Sequence, residues 1–204
     1  MKKKSKPKKS NFKKIASFLL EFRGLKYIQR ASIPYLRGPV KENIAEHCFY
    51  TTLIGWTLAK LEKLDQDKVI KMCLIHDLAE ARGGERNLIN KFYSSPLNEL
   101  KMLGEISENY SIKDFKLTEL FQEFDKQKTK EAKVARDADV LSQLIWEKEC
   151  FDMGNRKAAK WVDFSLSRLK TKSGKKLGQE LKKADSDEWW MNIFKRYILH
   201  TKFL

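Results

Sequence analysis

The segment CLIHDLAEARGGE, residues 73–85, places His76, Asp77 and Glu80 inside an apolar helical pattern. The apolar residues around them are Val69, Ile70, Met72, Cys73, Leu74, Ile75, Leu78 and Ala79. A buried carboxylate without a partner is strongly unfavourable, so such groups are normally paired or bind a metal ion. The segment therefore predicts that another part of the chain supplies a partner for these three side chains.

Composition favours one all-α domain. A chain of 204 residues is long enough for one sizeable core, and nine glycines and four prolines are too few for many short strands and turns. The cysteines Cys48, Cys73 and Cys150 form no C-x-x-C pair, which predicts reduced thiols in a cytoplasmic protein. No apolar run predicts a membrane span, and the run IASFLL (residues 15–20) is too short for a secretory signal.

The net charge of +15 is concentrated at the N-terminus, where residues 1–14 contain eight lysines and no acid. We predict a disordered basic arm over residues 1–11 and a single helical domain over residues 12–204. Such an arm could make weak contact with nucleic acid by charge alone, although a solvated tail has the same composition.

Apolar periodicity predicts helices along the whole chain, and no segment alternates over the length of a strand. The predicted helices span about 12–27, 43–64, 66–83, 97–110, 115–124, 129–153 and 155–169, with two more in the C-terminal tail. We expect Asp65 and Asn155 to cap the helices that follow them.

His76 and Glu80 are four residues apart and therefore share a helix face, with Asp77 a quarter-turn away. The pair His76–Asp77 can offer one nitrogen and one oxygen to a single metal ion. Because a metal ion needs more ligands than these two, other helices must contribute.

Two other helices carry suitable side chains in apolar surroundings. His47 lies in NIAEHCFYTTLIGW (residues 43–56), and Asp139 lies in EAKVARDADVLSQLIWEKE (residues 131–149). Asp137 points nearly opposite to Asp139, so we expect only one of the two to face the core. Two imidazoles and two carboxylates suit a divalent ion such as Mn, Co, Fe, Zn or Mg, which can polarise a phosphoryl group and activate water.

This H…HD…D pattern resembles the HD-domain superfamily of metal-dependent phosphohydrolases. The stretches LRGPVKENIAEH (36–47), HDLAEARGGE (76–85) and KFY (91–93) most resemble its 5′-deoxynucleotidase branch. The resemblance implies an HD-type helical bundle, a divalent metal cofactor and homodimers. It also implies a nucleotide substrate, because this branch releases phosphate from deoxyribonucleoside 5′-monophosphates. The implied metal ligands are His47, His76, Asp77 and Asp139.

The resemblance also implies roles for residues around the metal ligands. Glu80 matches the catalytic glutamate of the branch. Glu85 stands where the branch usually has Asp, and would position the attacking water or the sugar hydroxyl. Lys91 matches a lysine near the phosphate, while Arg30 and Arg37 lie in the loop that lines the substrate end. That loop lacks the tryptophan common in the branch, which leaves sugar preference open.

Three alternatives remain open from the sequence. An HD phosphodiesterase or a nucleotide pyrophosphohydrolase would use the same ligands on a different substrate. A basic nucleic-acid-binding helical module is the non-enzyme alternative. The presence of Glu80 beside all four ligand residues favours an enzyme.

Overall fold

The computed structural model describes residues 12–36 and 41–201, and most of these residues are helical. The helices are α1 (Phe12–Phe22), a 3-10 helix (Arg23–Tyr27), α2 (Ile33–Leu36), α3 (Ile44–Glu62), α4 (Gln66–Ile75), α5 (Glu80–Gly83), α6 (Leu88–Tyr93), α7 (Glu99–Asn109), a 3-10 helix (Lys113–Phe115), α8 (Leu117–Lys126), α9 (Lys130–Asp152), α10 (Ala158–Arg168), α11 (Lys172–Lys183) and α12 (Glu188–Thr201). Within these two ranges there is no strand, and the only β-bridge joins Gln29 to Asn43.

The predicted all-α class is therefore confirmed. The predicted basic arm over residues 1–11 lies outside the described residues. The division into that arm and one domain over 12–204 consequently stays a prediction. Among the helices that the structure describes, none is both long and apolar enough to cross a lipid bilayer.

Helices α3, α4 and α9 form the centre of the molecule and pack against one another. Their contact is filled by a cluster of fully buried apolar side chains, which includes Leu58, Val69, Met72, Ala138 and Leu141. A second cluster joins the start of α3 and the end of α4 to α7 and α8. His47 on α3, His76 after α4 and Asp139 on α9 therefore come from the three helices that pack most closely.

Side-chain caps fix where the central helices begin. Asn43 accepts a hydrogen bond from the Glu46 backbone N–H, and the Glu46 carboxylate accepts one from Asn43 N–H, both at 3.0 Å. This capping box starts α3 one turn before His47. The predicted cap at Asp65 is confirmed, since its carboxylate accepts from the backbone N–H of Lys68 at 3.1 Å.

The helix expected to continue to Gly83 instead ends at Ile75. Residues 76–79 form turns with hydrogen bonds to the third preceding residue, from Leu78 N–H to Ile75 C=O at 3.1 Å and from Glu80 N–H to Asp77 C=O at 3.0 Å. Such bonds tighten the chain relative to an α-helix. His76, Asp77 and Glu80 therefore surround a helix terminus, where a change of backbone direction can bring them together.

Other helix boundaries also differ from expectation. The helix expected to start at Asn155 begins at Ala158, and the Asn155 side chain forms two hydrogen bonds ahead of it. Its amide donates to the C=O of Leu36 at 2.6 Å, and its oxygen accepts from the N–H of Lys157 at 3.2 Å. The short helices α2 and α6 were not predicted, and the first predicted helix is completed by a 3-10 segment.

Candidate metal and phosphate site

His47, His76 and Asp77 meet in the interior, and each offers one ligand atom within 4.8 Å of the others. The two Nε2 atoms are 3.3 Å apart. Asp77 Oδ2 lies 3.2 Å from His76 Nε2 and 3.6 Å from His47 Nε2. Both histidines are almost fully buried, so these contacts form in a site from which most water is excluded.

Asp139 borders the same group. Its Oδ1 lies 3.2 Å from His47 Nε2 and 3.8 Å from His76 Nε2, and its Oδ2 accepts a hydrogen bond from Arg136 at 3.0 Å. Two ligands of one tetrahedral zinc ion are about 3.3 Å apart at ordinary bond lengths. Thus the spacings of His47, His76 and Asp77 suit one small divalent ion, and Asp139 lies at the edge of this group beside His47.

The imidazole rings are oriented by their other nitrogen atoms. His76 Nδ1 lies 2.7 Å from the C=O of Cys73, which can only accept, so Nδ1 carries the proton. His47 Nδ1 lies 3.1 Å from Ser142 Oγ, which itself lies 3.4 Å from the His47 C=O and can donate to it. Both Nε2 lone pairs then face the carboxylates, an arrangement typical of metal-binding histidines.

The two histidines differ in pKa: burial would lower the pKa of His76, but the negative charges of Asp77 and Asp139 raise it. Burial, helped by the positive charge of Arg30, lowers the pKa of His47 to about 4, so this ring is neutral. Burial alone would raise the pKa values of Asp77 and Asp139, but contacts with the two histidines outweigh it and lower both. Ionised carboxylates beside a neutral imidazole are the forms that bind metal. The donor set therefore fits a divalent ion.

Asp137 corrects the expectation that only one aspartate of this helix faces the core. Its side chain is fully buried, on the opposite side of α9 from Asp139. Its carboxylate accepts hydrogen bonds from the N–H of Lys170 at 2.9 Å, and from the N–H and hydroxyl of Thr171 at 2.7 and 2.6 Å. Asp137 therefore anchors the start of α11, while Asp139 faces the histidines.

Glu80 lies beside the donor group with one buried carboxylate oxygen that has no hydrogen-bond partner. Burial and the neighbouring charges of Asp77 and Glu85 raise the pKa of Glu80 to about 10. A carboxyl group held in its protonated form next to a metal site can deliver or take up a proton during hydrolysis.

Glu85 is engaged on both oxygens. Its Oε1 forms an ion pair with Arg30 Nη1 at 3.0 Å, and its Oε2 accepts a hydrogen bond from the backbone N–H of Ala31. Burial raises the pKa of Glu85, although Arg30 opposes this effect. Glu85 therefore ties the loop before α2 to the segment after α5. Its predicted role toward water or the sugar hydroxyl stays a prediction.

Arg30 and Lys91, two of the predicted substrate-binding residues, differ in their exposure to solvent. Arg30 is buried, with its Nη1 3.9 Å from Asp77 Oδ2. Lys91 is exposed on α6. Its positive charge opposes the rise in the pKa values of Glu80 and Glu85 that burial causes. Arg37 lies outside the described residues.

Sequence reasoning missed three buried polar residues near Arg30. Glu42 Oε2 lies 3.5 Å from Arg30 Nε, and burial raises the pKa of Glu42 to about 7. Gln143 accepts a hydrogen bond from Arg30 Nη2 at 2.7 Å and donates one to Glu147 at 2.9 Å. Gln143 and Glu147 are four residues apart in an apolar part of α9. Two polar residues four positions apart in an apolar segment are also the pattern that identified His76 and Glu80 in the sequence.

Comparison with known proteins agrees with this geometry. A family model described as HD domain matches residues 22–184. The chain therefore belongs to the HD-domain family, as predicted, and with it to a class of metal-dependent phosphohydrolases. This confirms the predicted enzyme class and its divalent metal cofactor.

Individual relatives are more distant. The chain is 27% identical over 129 residues to the 5′-deoxynucleotidase HDDC2 of Dictyostelium discoideum, an alignment that covers 56% of this chain and 68% of that protein. A conserved hypothetical protein of Pyrococcus furiosus superposes with a TM-score of 0.65 at 23% identity, covering 83% of this chain and 99% of its own. A predicted metal-dependent phosphohydrolase of Magnetospirillum magnetotacticum gives 0.62 at 22% identity, covering 84% and 91%. At these identities the two structures show the fold alone.

Proposed function

We propose that this protein releases phosphate from deoxyribonucleoside or ribonucleoside 5′-monophosphates. The observation that carries the proposal is the convergence of His47, His76, Asp77 and Asp139 beside the protonated carboxyl of Glu80. The nucleotide substrate is supported by the similarity to the D. discoideum 5′-deoxynucleotidase.

In this proposal the four convergent residues hold the metal ion. A divalent ion bound there supplies polarisation of the phosphoryl group and a water molecule of lowered pKa. Glu80 exchanges the proton that hydrolysis moves between water and the leaving nucleoside, since it is a buried carboxyl group beside Asp77 and one of its oxygens has no hydrogen-bond partner among the residues that the structure describes.

The cations of the site stabilise the phosphate charge. Arg30 presents its Nη1 toward Asp77, and Lys91 acts from the exposed helix α6. Glu85 holds Arg30 through the 3.0 Å ion pair. Arg37 is proposed as a further phosphate-binding cation from its place in the sequence alone.

The test is a panel of nucleoside 5′-monophosphates, cyclic nucleotides and triphosphates, assayed for phosphate release with Mn, Co, Mg or Zn and with a chelator. We expect chelator-sensitive release from the monophosphates. The Asp77→Ala variant should lose both release and bound metal, whereas Asp67→Ala, an exposed substitution at the start of α4, should keep both. Activity that survives Asp77→Ala would refute the metal hypothesis.

The same panel separates the alternatives. Turnover of cyclic nucleotides or triphosphates in preference to monophosphates would favour the phosphodiesterase or pyrophosphohydrolase. Nucleic-acid binding that survives chelation and disappears on deletion of residues 1–14 would favour the binding module, and would also reveal a role for the arm.

We also propose that the protein forms homodimers through α12. Four of its aromatic side chains, Trp189, Trp190, Phe194 and Tyr197, are 41–69% exposed. At 150–250 Å² per aromatic residue they present roughly 500 Å² of apolar surface, a large part of the ~800 Å² that each partner contributes to a standard interface. Light scattering should give the mass of a dimer, and Trp189→Asp should shift it toward a monomer. A wild-type chain that stays monomeric at high concentration would refute the dimer.

A cytoplasmic location is part of the proposal. Cys48, Cys73 and Cys150 are all free and buried, as expected of thiols in a reducing compartment. Localisation of the tagged full chain by microscopy tests it, and a secreted or membrane-bound product would contradict it.

A further inference from the structure

A continuous chain of hydrogen bonds runs from the phosphate side of the site into the core of α9. Arg30 Nη2 donates to Gln143 Oε1 at 2.7 Å, and Gln143 Nε2 donates to Glu147 Oε1 at 2.9 Å. All three residues are buried, with exposures of 8%, 9% and 1%. Arg30 Nε and Glu147 Oε2 have no hydrogen-bond partner in the described part of the chain, so the two bonds to the Gln143 amide are the ones that orient this chain of residues.

The direction of the chain is determined by chemistry. A guanidinium group only donates, so the Gln143 atom that faces Arg30 must be its oxygen. The amide nitrogen must then face Glu147, whose Oε1 accepts. The glutamine amide fits this place because it combines an acceptor oxygen with a donor NH₂ group.

Arg30 needs such an anchor because three carboxylates compete for it. Glu85 lies at 3.0 Å, Glu42 at 3.5 Å and Asp77 at 3.9 Å from its nitrogen atoms. An arginine released from Gln143 would be free to form a two-bond pair with Glu85, which is the preferred geometry of an arginine and a carboxylate. Its Nη1 would then leave the side of Asp77.

We propose that Gln143 and Glu147 are positioning residues that hold the Arg30 guanidinium toward the substrate phosphate. The inference rests on the proposed function, in which Arg30 binds that phosphate. The anchor is an amide, so it orients Arg30 without cancelling its positive charge. Glu147 acts indirectly, because it fixes the Gln143 amide in the orientation in which its oxygen accepts from Arg30.

The experiment measures kcat, KM and inhibition by inorganic phosphate on the metal-loaded enzyme. Gln143→Met keeps the volume and removes both hydrogen bonds. We expect KM and the phosphate inhibition constant to rise about tenfold, the effect of losing one hydrogen bond to a charged group. Gln122→Met, an exposed substitution on α8, is the matched control and should change neither constant.

Glu147 is tested by two substitutions. Glu147→Gln keeps an oxygen that can accept from Gln143 and should stay within about twofold of wild type, whereas Glu147→Leu should raise KM as Gln143→Met does. The two Glu147 variants also test the proposal if Gln143→Met fails to fold.

A double-mutant cycle distinguishes positioning from general structural damage. In an Arg30→Lys background, Gln143→Met should have no further effect on KM, because lysine does not occupy the same fork. An equal rise of KM in both backgrounds, or no rise in the wild-type background, would overturn the proposal. If the wild-type enzyme releases no phosphate from any monophosphate, the proposed function fails. The affinity for inorganic phosphate, measured by calorimetry on the same variants, still tests the positioning chain.

Discussion

Glu80→Gln is expected to stabilise the metal-free protein while it abolishes phosphate release. Burial, Asp77 and Glu85 raise the pKa of Glu80 from 4.5 to about 10. The folded chain therefore holds a proton that the unfolded chain releases near pH 4.5. Stability from this group is fully present below that pH and is lost as pH rises toward the folded pKa.

The magnitude follows from how far the pH lies above the ordinary pKa, because the folded group stays protonated up to a pKa of about 10. At about pH 7.5, some three pH units above the ordinary pKa, protonating Glu80 costs the folded state about 4 kcal/mol at 1.36 kcal/mol per unit. Glutamine is neutral at every pH and avoids this cost. Its amide adds N–H groups that need partners, which costs about 1–2 kcal/mol. The net expectation is a gain of roughly 2 kcal/mol.

Urea unfolding of the chelator-treated protein measures this difference. The gain should be present at about pH 7.5 and nearly absent at about pH 5, where protonation costs less than about 1 kcal/mol. Glu108→Gln, an exposed substitution on α7, should show no such pH-dependent gain. If Glu80→Gln is only as stable as wild type at both pH values, the assignment of a buried, protonated Glu80 is refuted.

Two further predictions concern α9 and its contact with α11. Asp139→Asn should remove bound metal with little change in unfolding free energy. Asp137→Asn should keep the metal and lower the unfolding free energy by about 2 kcal/mol, because an amide NH₂ cannot accept from the backbone N–H groups at the start of α11. Metal analysis and urea unfolding distinguish the two variants. The reverse pattern would exchange the roles of Asp137 and Asp139. Gly174→Ala should destabilise the fold by about 1–3 kcal/mol, since a Cβ there would overlap the Asp137 carboxylate. In thermal melting Gly104→Ala is the control, as its Cβ meets its nearest neighbour only at 4.0 Å, and equal melting temperatures would contradict the close approach.

The central helices could be predicted because their apolar periodicity coincides with caps that are visible in the sequence. Asn43 with Glu46, and Asp65 with Lys68, satisfy N–H groups as their residue types and spacing suggest. The end of α4 could not be predicted in the same way. The apolar pattern continues past Ile75, and only hydrogen bonds to the third preceding residue distinguish the turn from a helix.

The four ligand residues were found because each is polar in an apolar setting, and the structure brings them together. Gln143 and Glu147 carry that signal too but were overlooked, since an uncharged amide does not by itself suggest chemistry. The prediction that only one of Asp137 and Asp139 faces the core was wrong for another reason. Helical geometry shows that Asp137 faces away from Asp139, but only tertiary structure shows that α11 covers that second face.

The balance of charge explains why the site needs both its cation anchor and its metal. Asp77, Glu80, Glu85 and Asp139 would repel a phosphate dianion if they acted alone. In the proposed function Asp77 and Asp139 bind the divalent ion, while Glu80 holds a proton and Glu85 is paired with Arg30. The four acids are thus neutralised in three ways. Arg30 is also shared with Glu42 and Asp77. If Arg30 binds the phosphate as proposed, the affinity depends on where its guanidinium group is held, and the neutral amide of Gln143 then affects phosphate binding through Arg30.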